Sequence, residues 1–86
     1  MNKMLSDYAS GKITVADLIE PKILASYAIE DPELRKWLLD TFQELLNQVK
    51  CSATDMRRHN LYFIARRYKE ALDIIDSNLR ARGELP

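Results

Sequence analysis

The chain reads as an all-α protein: a small helical bundle built on a long antiparallel helical hairpin (about 32–50 and 54–82), with two short N-terminal helices packed against it. Three observations predict this. Apolar residues recur at the 3.6-residue period over long segments. Helix start and stop signals fall at Asp31-Pro32, at Ser52 to Asp55 and at Gly83. No segment alternates apolar and polar residues in the way a half-buried strand does.

The first expected helix, Asn2 to Ala9, carries Met4, Leu5 and Tyr8 on one side and meets Gly11 as its stop. In "TVAD" the Thr14 hydroxyl can cap new backbone donors while Asp17 reaches back, so a helix is expected to open near Val15 and to end or kink at Pro21. Pro21 then suits the first turn of a further helix, with Ile23, Leu24, Tyr27 and Ala28 facing inward. "DPEL" is the clearest start signal. Asp31 can cap, Pro32 loses no hydrogen bond at the first helical position, and Glu33 suits the positive end of the helix dipole.

From there a helix of roughly 28 Å reaches Lys50, and "SATD", read as a second capping box, opens one of roughly 43 Å that Gly83 stops. A connection of a few residues makes the pair antiparallel. The expected core stripe of the first is Leu34, Leu38, Leu39, Phe42, Leu45, Leu46 and Val49; that of the second is Leu61, Ile64, Ala65, Tyr68, Ala71, Leu72, Ile75 and Leu79. The whole chain is expected to be one domain: short helices in 1–30, the hairpin in 31–82 and a tail in 83–86.

At 86 residues the core must be thin, yet 47% hydrophobic and 30% charged residues with two glycines are the composition of a folded domain. Net charge is zero, but it is uneven. Residues 1–49 hold five Lys and Arg against eight Asp and Glu, and residues 50–86 hold eight against five. The single cysteine, Cys51, cannot form an internal disulfide, and neither a signal peptide nor a run of about 20 apolar residues is evident. A soluble, cytoplasmic protein is expected.

Several chemistries lack their residues. One His and one Cys make no zinc quartet, and glycines at 11 and 83 alone build no phosphate-cradling loop. The carboxylates at Glu30, Asp31 and Glu33 serve a helix start, and those at Glu70, Asp73 and Asp76 supply partners along a helix, so neither set reads as a catalytic pair. Cys51 and His59 lack an orienting third group and an oxyanion hole. No catalytic residue, cofactor, metal or small-molecule substrate is expected, and the chain reads as a non-enzyme.

The run "RRHNLYFIARRYK" carries the strongest local charge, with six cations in residues 50–69 against Asp55 alone. Helical projection puts Leu61, Ile64, Ala65 and Tyr68 in the core and sets Arg58, Tyr62, Arg66 and Lys69 on a flank. That flank is open to two readings. It is a solvated face, with Arg66–Glu70, Lys69–Asp73 and Asp76–Arg80 paired along the helix. Alternatively Lys50, Arg57, Arg58, Tyr62, Arg66, Arg67 and Lys69 grip nucleic acid weakly and non-specifically.

Trp37 projects away from its helix's apolar stripe, among Glu33, Asp40 and Glu44, and Met56, Phe63 and Ile74 form a further strip interrupted by Arg67. Each is either covered by the N-terminal helices or left for a protein partner, where buried aromatics dominate binding energy. The run "LSDYASGKITVADLIEPKIL" looks like short helical-hairpin modules that serve as oligomerisation or tethering appendages, over under a quarter of the chain.

The leading functional expectation is therefore a small accessory or adaptor subunit. It would bind a larger protein through Trp37, Met56, Phe63 and Ile74, in a nucleic-acid-processing complex such as a DNA polymerase of the replication machinery or an effector assembly. Direct nucleic-acid binding and a self-associating regulatory homodimer are the alternatives.

Overall fold

The computed structural model describes residues 2–84. Among them the order is α1 (Asn2–Ala9), a single 3-10 turn (Asp17–Ile19), α2 (Pro21–Ile29), α3 (Pro32–Cys51) and α4 (Asp55–Ala81), with no strand. The last two residues of the expected tail lie outside the described residues. None of these helices is long and apolar enough to cross a membrane.

Local chemistry sets most boundaries. Asp31 caps α3 by accepting from the Glu33 and Leu34 amides at 3.1 and 3.2 Å, and Pro32 occupies the first turn. α1 and α4 both end by the same device. Gly11 (φ 84°) and Gly83 (φ 77°) take the left-handed conformation, and the next amides, Lys12 and Glu84, return to the Asp7 and Leu79 carbonyls at 2.9 Å.

Two start signals act differently from the expectation. In "TVAD" only half of the capping box forms: Asp17 accepts from the Thr14 amide at 2.9 Å, with no side-chain cap on the turn that follows. Pro21 leaves no room to extend that turn into an α-helix. In "SATD" the cap of α4 is Thr54, which accepts from the Arg57 amide at 3.3 Å, while the Ser52 hydroxyl donates back to the Gln48 carbonyl at 2.7 Å and finishes α3.

α2 organises the core. Leu24, Ala25 and Ala28 are almost fully buried and join Met4, Leu34, Leu38, Ala71, Ile75 and Leu79 in one cluster. Its ends are fixed by charge. Glu20 meets Arg67 at 3.7 Å and Glu30 meets Arg82 at 2.8 Å, so α2 runs in the same sense as α4. Arg35 donates to the Ile29 and Ala28 carbonyls at 2.7 and 3.3 Å, satisfying the end of α2 from the first turns of α3. α1 is tied on by a short hydrogen bond from the Tyr27 hydroxyl to Asp7 and inserts Met4 alone; Leu5 and Tyr8, expected on the same face, are exposed.

The α3–α4 seam is rotated from the expected stripe. Leu34 and Leu38 are completely buried, whereas Leu39, expected in the core, is 46% exposed. The seam turns instead toward Trp37, whose ring tilts against Tyr68 of α4 at 6.1 Å between centroids.

The molecule is a slab of 41 × 36 × 17 Å. Its radius of gyration of 13.9 Å exceeds the roughly 12 Å of a compact chain this long. Its accessible surface of 6024 Å² exceeds the roughly 5,200 Å² usual for a 10.0 kDa monomer.

Replacing Leu38 by Ala is expected to cost about 2–5 kcal/mol of stability, and Leu39→Ala about 0.5 kcal/mol, measured by urea unfolding with an unchanged denaturant slope. Equal costs would mean that the seam is not rotated.

Stability is also expected to fall in alkali. The hydrogen bond to Asp7 raises the Tyr27 phenol above its ordinary 10.0, and burial raises Tyr68. The neutral phenols therefore favour the folded state fully below pH about 10, and that contribution disappears as pH rises through the raised values. A Tyr27→Phe/Tyr68→Phe chain should lose stability less steeply above pH about 10 than the parent, as read by denaturant midpoints.

Candidate functional site

Met56, Phe63, Arg67 and Ile74 lie on one side of α4, and α2 divides that strip in two. The inner end is covered: Ile74, expected as a free interface residue, is half-buried against the core cluster. Arg67 marks the boundary. Its guanidinium pairs with Glu20 at the start of α2 and stands 5.1 Å over the Phe63 ring. Beyond it Phe63 and Met56 are 48% and 77% exposed.

This outer half of the hairpin differs from the inner half in its packing. From residue 39 to residue 64 no side chain is buried. Leu45, Leu46, Val49, Leu61 and Ile64 are half-covered, because α3 and α4 shield only the faces they turn to each other. Beside Met56 an open groove of about 330 Å³ runs between Thr54, Arg57, Asn60, Leu61 and Ile64.

Trp37, also expected as an interface contact, is an edge residue of the seam. Its ring is tilted 57° against that of Tyr68, and 37% of its surface stays open. Part of its cover comes from Tyr68 of α4. The structure therefore leaves Met56 and Phe63 as the free apolar centre of the strip.

The basic residues divide as well. Arg58 lies 3.6 Å from Asp55 and donates to the Ser52 carbonyl at 3.3 Å, Arg67 pairs with Glu20, and Lys69 pairs with Asp73 at 3.1 Å. Lys50, Arg57 and Arg66 have no ion-pair partner among the described residues, so the expected Arg66–Glu70 pair is not made. Tyr62 is 50% exposed. Arg57 lines the groove beside Met56, and Arg66 a second one beside Phe63. The free cations therefore flank the apolar centre.

The opposite face, which no residue of α1 or α2 lines, has a groove of about 400 Å³ between the hairpin helices, with Leu39, Phe42 and Leu72 between Arg35, Lys69 and Asp76. Sequence projection missed this groove because it assigned Leu39 and Phe42 to the seam. Cys51 is an exposed free thiol, and it and His59 line different grooves. The described residues hold no cluster of His, Cys, Asp and Glu suited to a metal ion.

The chain has no match among protein-family models, curated proteins or solved structures.

Proposed function

We propose that this chain is a non-enzymatic helical accessory subunit that binds a larger protein through the outer half of its hairpin. The observation that carries this reading is the absence of any buried side chain from residue 39 to residue 64, beside an exposed apolar strip at Met56 and Phe63. Covering one such side chain fully is worth about 1.5–3 kcal/mol, a gain the isolated chain leaves unrealised.

The cations beside the strip suit a partner in a nucleic-acid-processing assembly, such as a polymerase or effector complex, where they would meet acidic protein surface or nearby phosphate. The reducing cytoplasm suits the free, exposed Cys51.

One observation favours a second reading, direct nucleic-acid binding: Lys50, Arg57 and Arg66 have no ion-pair partner among the described residues, and Tyr62 of the same helix as the two arginines is 50% exposed. Three phosphate contacts would give weak binding with a log–log salt slope near about −3.

Affinity capture of the tagged chain from its host's lysate, with and without nuclease, separates the two. The expected result is a stoichiometric protein that survives nuclease and is lost with Met56→Asp/Phe63→Asp, a variant whose folding is checked by its helical circular dichroism. Recovery abolished by nuclease would overturn the protein-binding reading in favour of nucleic acid.

A further inference from the structure

We infer that the occupant of the Met56–Phe63 strip is an acidic amphipathic helix of the partner, docked on the same side of the hairpin as α2. This rests on the protein-binding reading above and names the chemistry of the partner. α2 itself shows the mode of docking. It lies along the inner part of α4, buries Leu24, Ala25 and Ala28 on one side, and places Glu20 against Arg67 at its leading end. That end points toward the tip of the hairpin, because Glu20 is held at Arg67 and Glu30 at Arg82.

Past Arg67, outside the 3-10 turn that leads into α2 and also touches α4, the strip is open at Phe63 and Met56. Asp55 to Arg66 spans about 18 Å of α4, room for three turns of a second helix. Apolar residues of that helix would meet Met56, Phe63, Leu61 and Ile64, as Leu24, Ala25 and Ala28 of α2 share one cluster with Ala71 and Ile75.

Charge selects the sign of the occupant. Arg57 and Arg66 flank the strip on opposite sides, about 13 Å apart along the axis, and neither has an ion-pair partner among the described residues. Carboxylates set at matching positions on a docked helix would complete the pattern begun by Glu20 and Arg67.

A second copy fits less well. The chain's own acidic flank, Glu33, Asp40 and Glu44, offers only the open edge of Trp37, whose ring is engaged by Tyr68. Nucleic acid would answer the two arginines but leave the apolar centre, Met56 and Phe63, unmatched.

The probe is a stapled 14-residue helix with Leu at one face and Glu at the flanking positions, titrated into the isotope-labelled full chain. Its controls are an isomer with Lys for Glu, a scrambled acidic peptide and a short DNA oligonucleotide. The expected result is saturable shifts of the 54–66 amides by the acidic helix alone, weakened at least tenfold by Arg57→Glu/Arg66→Glu.

Equal binding by the Lys isomer, shifts confined to the groove at Leu39 and Leu72, or shifts of the 54–66 amides by DNA in place of the peptide would each overturn the inference. So would concentration-dependent dimerisation through the strip. If the acidic helix fails while a nuclease-resistant partner still depends on Phe63, the acidic occupant is overturned and the protein-binding reading stands. Failure of both overturns both.

Discussion

The docking of α2 against the inner half of the hairpin is the constraint on which the rest of the structure depends. α2 is nine residues long and α3 is twenty, so one short helix must close a seam about twice its length. Ala25 and Ala28 let its backbone approach closely while Leu24 fills the space between α3 and α4. The contact is oriented by charge at both ends and by Arg35 at its last carbonyls. The buried core gathers around α2, and from residue 39 to residue 64 the hairpin buries no side chain.

That asymmetry connects packing to dynamics and to function. A two-helix hairpin buries only one face of each helix, and small domains have little stability to spare. The outer half therefore sits at the low end of local stability, held by half-covered side chains and by its own helical hydrogen bonds. Segments of that kind gain most from a partner, because covering Phe63 and Met56 adds burial where the chain has none. The same geometry assigns two jobs to the basic residues of α4: Arg67 holds α2, while Arg57 and Arg66 stand free beside the uncovered strip.

Much of this architecture was legible in the sequence because its signals are local. "DPEL" specified a capped helix start through Asp31 and Pro32, and Gly11 and Gly83 stop their helices through a conformation that glycine adopts without strain. What was not legible depends on distant contacts. Projection alone placed Trp37 outside the seam and Leu39 inside it, since the rotation comes from Tyr68, thirty-one residues later in the chain. It likewise grouped Met56, Phe63 and Ile74 as one strip. Only the reach of α2 separates the covered Ile74 from the open pair. The shortening of the helix after Thr14 to one 3-10 turn was half visible in Pro21, but the capping-box pattern at Thr14 and Asp17 argued the other way.

Native-state hydrogen exchange on the full chain tests this division most directly. Amides of α4 from Tyr68 to Leu79, and of α2, should open only with global unfolding, whereas those of residues 43–64 should exchange through a separate local opening several kcal/mol lower in free energy (about 2–4). Uniform protection along α4, with the tip as slow to exchange as the core, would contradict the account: it would mean that the outer half of the hairpin is complete without a partner.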